Sequence, residues 1–267
     1  LMVVSAIVLA LAVRQFEPQL AFYPFSGETR TPDNFGVAFT AHTIETADGE
    51  RLRAWHIPRA DAVAQVVYFH GNGGNLSVWS DVLIPIATRG YEVIAIDYRG
   101  FGLSTGAPTE QGLYRDVEAT VRFVDHDLRR PDLPVIYWGR SIGTAMAAYA
   151  AQHRAPDGVI LEAGFPNARA IFAGNPIMYG LSFFATYRFP TADWMARVTS
   201  PALVIHGDAD NIIPFALGQR LFESLPGPKQ FVAIPGGGHN DPAPADGAAY
   251  WGAVKAFISS TSASPRR

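Results

Sequence analysis

The chain contains no cysteine. That absence excludes a disulfide framework, a thiolate nucleophile and any zinc site built on cysteine, and it leaves no trace of the compartment's redox state. Charge is scarce as well. Charged residues make up 17% of the 267 positions, the formal net charge is −3 and no basic stripe is present, so a nucleic-acid partner is not expected. The seven histidines are scattered without H-E-x-x-H or comparable ligand spacing, and no metal is implied. Neither G-x-G-x-x-G nor the P-loop lysine pattern occurs, so no nucleotide and no other cofactor is expected. A long hydrophobic run is also missing. The uncharged apolar start, Leu1 to Val13, stops at Arg14, short of the roughly 20 residues that span a bilayer.

What is present is a hydrophobic share of 48%, enough to exclude disorder and to fill the large core of one catalytic domain. The most informative segment is Gly139-Arg140-Ser141-Ile142-Gly143. It follows the apolar Val135 to Trp138 and precedes the small-residue run Thr144 to Ala148, which reads as strand, sharp turn and helix. Such a turn lifts a serine hydroxyl clear of the sheet edge and forces strained backbone angles on it. Side chains two positions away on either side would collide with the neighbouring strand and helix, which accounts for both glycines. Ser141 is the candidate nucleophile.

Three other segments each follow a strand-like apolar run: His70 to Asn75, His206 to Pro214 and Gly236 to Asp241. Around them the chain alternates. Val37 to Ile44 and Arg51 to Ile57 flank Asp48-Gly49 as a hairpin, and strands at Val66–Phe69, Val93–Ile96, Val135–Trp138, Gly158–Leu161, Ala202–Ile205 and Phe231–Ile234 are separated by helical stretches. This pattern implies an α/β fold with a mostly parallel central sheet and helices on both faces. Every chemistry-bearing segment then lies beyond a strand's carboxyl end, where open α/β sheets place their sites. His239, in its glycine-rich loop, is the candidate general base and acid. His70 and His206 each open a turn at a strand end and read as packing residues, and Asp97 as a turn-organising residue. Asp208 and Asp210 are both placed to orient an imidazole; Asp241 reads as a helix cap.

The blocks FHGNGGN, AIDYRGFGLSTG, GRSIG, VIHGDADNIIPF and PGPKQFVAIPGGGHND, with the apolar N-terminus, resemble the α/β-hydrolase superfamily of serine hydrolases, in its Bem46-like esterase group. The order serine, acid, histidine is that of α/β-hydrolases. The resemblance covers nearly the whole chain and implies an α/β-hydrolase fold, a membrane-tethered esterase or thioesterase, and a Ser-Asp-His triad. Its pattern H-G-x-x-D-x-x-(I/V)-P places the acid at Asp210, leaving Asp208 as a turn cap. The oxyanion donors are then the backbone N–H groups of Ile142, after the nucleophile, and Asn72, after His70-Gly71. The expected activity is hydrolysis of small acyl esters, lipid-like ones included, through an acyl-serine. Thioester hydrolysis is the alternative, and a catalytically silent binding protein a more remote one. An aspartate-nucleophile hydrolase is disfavoured by Ser141, and a peptidase by the lack of an acidic cluster.

Residues 26–258 form the expected catalytic domain, with a short helical lid insertion at about 164–200. Among its many aromatics, Phe165, Phe172, Phe183 and Phe184 are candidates for an acyl pocket, with packing onto the sheet as the other reading. Residues 1–25 are expected to associate with a membrane, on a side the sequence does not specify. A signal-peptide remnant and a helix packed on the domain stay open as alternatives. Leucine at position 1 points to a processed or truncated form, or a non-standard start codon. The polar tail, 259–267, is expected to fray.

Overall fold

The computed structural model describes residues 2–240 and 247–262. Leu1, Asp241 with its expected helix-capping role, and the end of the tail from 263 lie outside the described residues.

Eight strands form one sheet: β1 (Thr40–Glu45), β2 (Arg51–Ile57), β3 (Ala64–Phe69), β4 (Tyr91–Ile96), β5 (Val135–Arg140), β6 (Gly158–Glu162), β7 (Ala202–Gly207) and β8 (Lys229–Ile234). Their spatial order is β8-β7-β6-β5-β3-β4-β2-β1. The β1–β2 and β2–β4 pairings are antiparallel and all others parallel, which is the α/β-hydrolase fold. Gly49 at φ 87 closes the hairpin, donating its N–H to the Thr46 carbonyl. β1 begins at Thr40 rather than Val37, because the Val37 N–H is taken by the Pro32 carbonyl of a preceding 3-10 turn.

Every residue of β3 to β7 is buried, as central strands covered on both faces require. Alternate side chains feed two cores. Val67, Tyr137, Leu161 and Val204 pack with α3 (Glu110–Phe123), α4 (Gly143–His153) and α8 (Phe215–Glu223); Val66, Trp138, Ile160 and Leu203 pack with α2 (Leu76–Thr88) and α9 (Ala248–Ser262). Between β6 and β7 the chain forms three short helices, α5 (Ala168–Ile171), α6 (Pro176–Leu181) and α7 (Thr191–Met195).

One end differs from expectation, and the other bears on the alternatives left open for residues 1–25. The tail is helical through Ser262, because the hydroxyls of Ser260 and Thr261 donate back to the Phe257 and Ile258 carbonyls and Thr261 is buried. At the other end α1 (Met2–Ala21) is followed by Phe22, buried with its ring 5.6 Å from Tyr187 and 6.3 Å from Phe189. Tyr23–Pro24 then pair in parallel with Gly73–Gly74. Residues 13–25 are therefore held against the domain, while Ile7, Val8, Leu11 and Phe16 stay exposed. Among the described residues no helix is long and apolar enough to cross a membrane.

Candidate active site

Ser141 occupies the turn between β5 and α4 with φ 55, the left-handed region that costs a residue with a side chain about 1–3 kcal/mol. Its flanking glycines make that turn possible. A Cβ on Gly139 would sit 2.1 Å from the Gly143 carbonyl oxygen, and one on Gly143 would sit 2.0 Å from that of Phe69 on β3. The Ser141 N–H donates to the Glu162 carbonyl, which ties the turn to β6.

The loops after β7 and β8 bring Asp210 and His239 to the same edge. His239 Nδ1 lies 2.7 Å from Asp210 Oδ2; a carboxylate can only accept here, so Nδ1 carries the proton and Nε2 is left as an acceptor. That Nε2 is 3.1 Å from Ser141 Oγ. The other Asp210 oxygen accepts the backbone N–H groups of Ile212 (2.9 Å) and Ile213 (2.8 Å). Burial pushes the Asp210 carboxyl up, but His206, His239 and the Ile213 N–H outweigh it and hold the group well below the ordinary 3.8. His206, donating from Nε2 to the Ile213 carbonyl and 3.3 Å from Asp210 Oδ2, is thus part of the acid's surroundings, a contact the sequence did not disclose. Asp208 is exposed and caps the Gly236 N–H.

Asn72 and Ile142 both line the cavity in front of Ser141, and among the described residues neither backbone N–H has a backbone acceptor. The carbonyl of each of these peptides is clamped from behind. His70 Nδ1 donates to the Gly71 carbonyl (2.7 Å), in the peptide that carries the Asn72 N–H. The Thr144 hydroxyl donates to the Ser141 carbonyl (2.6 Å), in the peptide that carries the Ile142 N–H. His70 is fully buried between Tyr98 and Trp79, and Asp97, 3.6 Å from its Nε2, caps the Leu76 N–H.

Arg140, the variable residue of the pentapeptide, was assigned no role from sequence. It is buried, donates from Nη2 to the His239 carbonyl (2.8 Å) and lies 3.5 Å from Glu162. Burial pulls its pKa down, but the charges facing it, Glu162 first, raise it overall. Glu162 Oε2 in turn accepts from Trp138 Nε1 and the Tyr250 hydroxyl. Charged residues at positions 140 and 162, each ending an apolar strand, were the available signal.

The cavity in front of Ser141 measures about 780 Å³. Phe165 and Phe172 are on its wall; Phe183 and Phe184 are not. Phe183 instead stands outside, more than half exposed, under the Arg169 guanidinium at 4.2 Å. Most of the remaining wall is apolar, with Trp79, Met178, Leu181 and Phe189, and α1 adds Val13 and Leu20; Arg140, Arg169 and Asn240 are among its polar members. Glu17 of α1, buried, accepts the N–H groups of Thr186 (2.9 Å) and Tyr187 (2.6 Å) and the Thr186 hydroxyl. Glu110 does the same for Arg188 and Phe189 (both 2.7 Å), so two carboxylates hold four successive amides of the lid.

Fold and elbow define the class, an α/β-hydrolase. A family model described as "Serine aminopeptidase, S33" matches residues 60–193, and the chain belongs to this family of the α/β-hydrolase superfamily. It is similar to an uncharacterised protein of Mycobacterium tuberculosis, 30% identical over 91% of this chain and 87% of that one. It is also similar to human alpha/beta hydrolase domain-containing protein 17B, 32% identical over 76% of this chain and 70% of the relative. Among solved structures, an esterase of Pyrococcus furiosus superposes with a TM-score of 0.69, over 90% of this chain and 98% of the other, at 17% identity. The class of activity these findings support is that of a hydrolase.

Proposed function

We propose that the protein is a serine carboxylesterase working through an acyl-serine at Ser141. One observation carries the reading: Ser141 Oγ, on the wall of an apolar cavity, lies 3.1 Å from His239 Nε2, whose other nitrogen is 2.7 Å from Asp210. In the first half-reaction Oγ attacks the ester carbonyl carbon and its proton passes to His239 Nε2. Asp210 holds the ring in the accepting tautomer and stabilises the imidazolium. The oxyanion is met by the Asn72 and Ile142 N–H groups, and losing one such donor typically slows turnover about 100- to 1000-fold. The intermediate collapses, the leaving alkoxide takes the proton from His239, and the alcohol departs. Water, deprotonated by the same base, then cleaves the acyl-serine to release the acid and restore Ser141.

The apolar wall suits an acyl chain better than a peptide. An aminopeptidase, as the matched family is described, needs an anion for the substrate's ammonium group. Among the described residues the one carboxylate on this cavity's wall, Glu17, is already spent on three lid donors. We read the region 1–25 as membrane-associated, α1 lying along the surface through its exposed Ile7, Val8, Leu11 and Phe16. Labelling with a fluorophosphonate tests the nucleophile. One adduct on Ser141, absent from Ser141→Ala, is expected; an unlabelled wild-type protein would contradict the reading.

A further inference from the structure

A second cavity, of about 590 Å³, lies beside the first, between the lid and α8. Arg169, Arg188, Arg220 and Asp193 contribute its charged lining, and Arg169 and Tyr187 belong to the walls of both cavities. Three guanidiniums thus gather around one carboxylate. Among the described residues none of the three makes an ion pair, and Arg169 Nε is buried without a hydrogen-bond partner. Glu17 and Glu110, which also reach this part of the lid, are taken up by the backbone of 186–189, so among the described residues Asp193 is the one carboxylate on the wall facing three arginines. Like charges collected around a concavity raise its potential and favour a bound anion. Guanidinium forks match the oxygen pairs of phosphate, bidentately and with charge-assisted bonds.

We propose that this cavity takes the phosphate of the substrate's leaving group: the substrate is an acyl ester or thioester with a phosphorylated leaving group. Its acyl chain fills the apolar cavity, its carbonyl lies at Ser141, and Arg169 marks the passage between the two. This rests on the esterase reading of Ser141 and narrows its substrate. The phosphate has two possible sources, a glycerophosphate headgroup or a pantetheine-linked nucleotide, and the test separates them.

Binding is measured by calorimetry on the full chain carrying Ser141→Ala, with two matched pairs. These are 1-octanoylglycerol against its 3-phosphate, and S-octanoyl pantetheine against S-octanoyl coenzyme A. The phosphorylated member of at least one pair is expected to bind about tenfold or more tightly, and which pair does so identifies the source. Adding Arg188→Gln and Arg220→Gln, at exposed positions outside the acyl cavity, is expected to cut that advantage to about threefold or less and leave the neutral member unchanged. No advantage in either pair, or one that survives the double change, would overturn the proposal. Hydrolysis by the wild type is scored separately. A protein that prefers the phosphorylated ligands but cleaves none of the four would sink the esterase reading and leave the phosphate cavity standing.

Discussion

Two carbonyl oxygens, those of Gly71 and Ser141, determine where the Asn72 and Ile142 N–H groups point, and each is held by a buried side chain, His70 and Thr144. Thr144→Val keeps the shape and removes the hydroxyl. Steady-state kinetics on a short ester should show kcat down about tenfold with KM nearly unchanged, the mark of an interaction made in the transition state. Asp210→Asn should lower kcat by about 1000- to 10,000-fold, because the ring loses its tautomer while keeping its place. Asp210 also links folding to pH. Its folded pKa lies below the ordinary 3.8, so the unfolded chain binds its proton first as pH falls. The stability it contributes is full above the ordinary value and is lost as pH drops below it. Urea titrations should therefore show the wild type's advantage over Asp210→Asn shrinking between about pH 5 and about pH 3. An advantage constant across that window would contradict the ionised, hydrogen-bonded carboxylate.

At the scale of elements, the elbow depends on how closely α4 approaches β3. Gly143→Ala puts a methyl 2.0 Å from the Phe69 carbonyl, backbone that has nowhere to go, so a loss of several kcal/mol or failure to fold is expected, read from the urea midpoint. The lid depends on α1 in a comparable way. Glu17→Gln keeps the size but weakens three charge-assisted bonds to Thr186 and Tyr187, and should lower kcat/KM about tenfold for long-chain esters with less effect on acetate. The central strands were legible because burial on both faces makes each an apolar run bounded by turn residues, and the elbow because sterics restrict positions 139 and 143 to glycine. The role of α1 was not legible. Val13, Glu17 and Leu20 are set on the cavity by contacts distant in sequence, Glu17 with Thr186 and the end of α1 with Asn72, and no local pattern encodes these. Phe183 and Phe184 misled for the same reason, since aromatic identity says nothing about which way the turn after α6 directs its side chains.

Across the whole molecule the site is gathered from distant parts of the chain. Ser141 lies within the stretch matched by the family model, residues 60–193, whereas Asp210 and His239 lie beyond it. Arg140 and Glu162 bind these parts together, one donating to the His239 carbonyl and the other bridging Trp138 and α9 through Tyr250. Glu162→Gln leaves a buried guanidinium without its counter-charge and should cost about 3–5 kcal/mol in urea unfolding, with activity falling as the His239 loop loosens. The most direct test of Ser141 as the nucleophile of an esterase is hydrolysis of p-nitrophenyl esters from acetate to palmitate, by the wild type and by Ser141→Ala at matched concentration. Turnover that disappears in the variant is expected, with an optimum above acetate set by the cavity of about 780 Å³. Equal turnover by both proteins, or none by the wild type on any chain length, would contradict it.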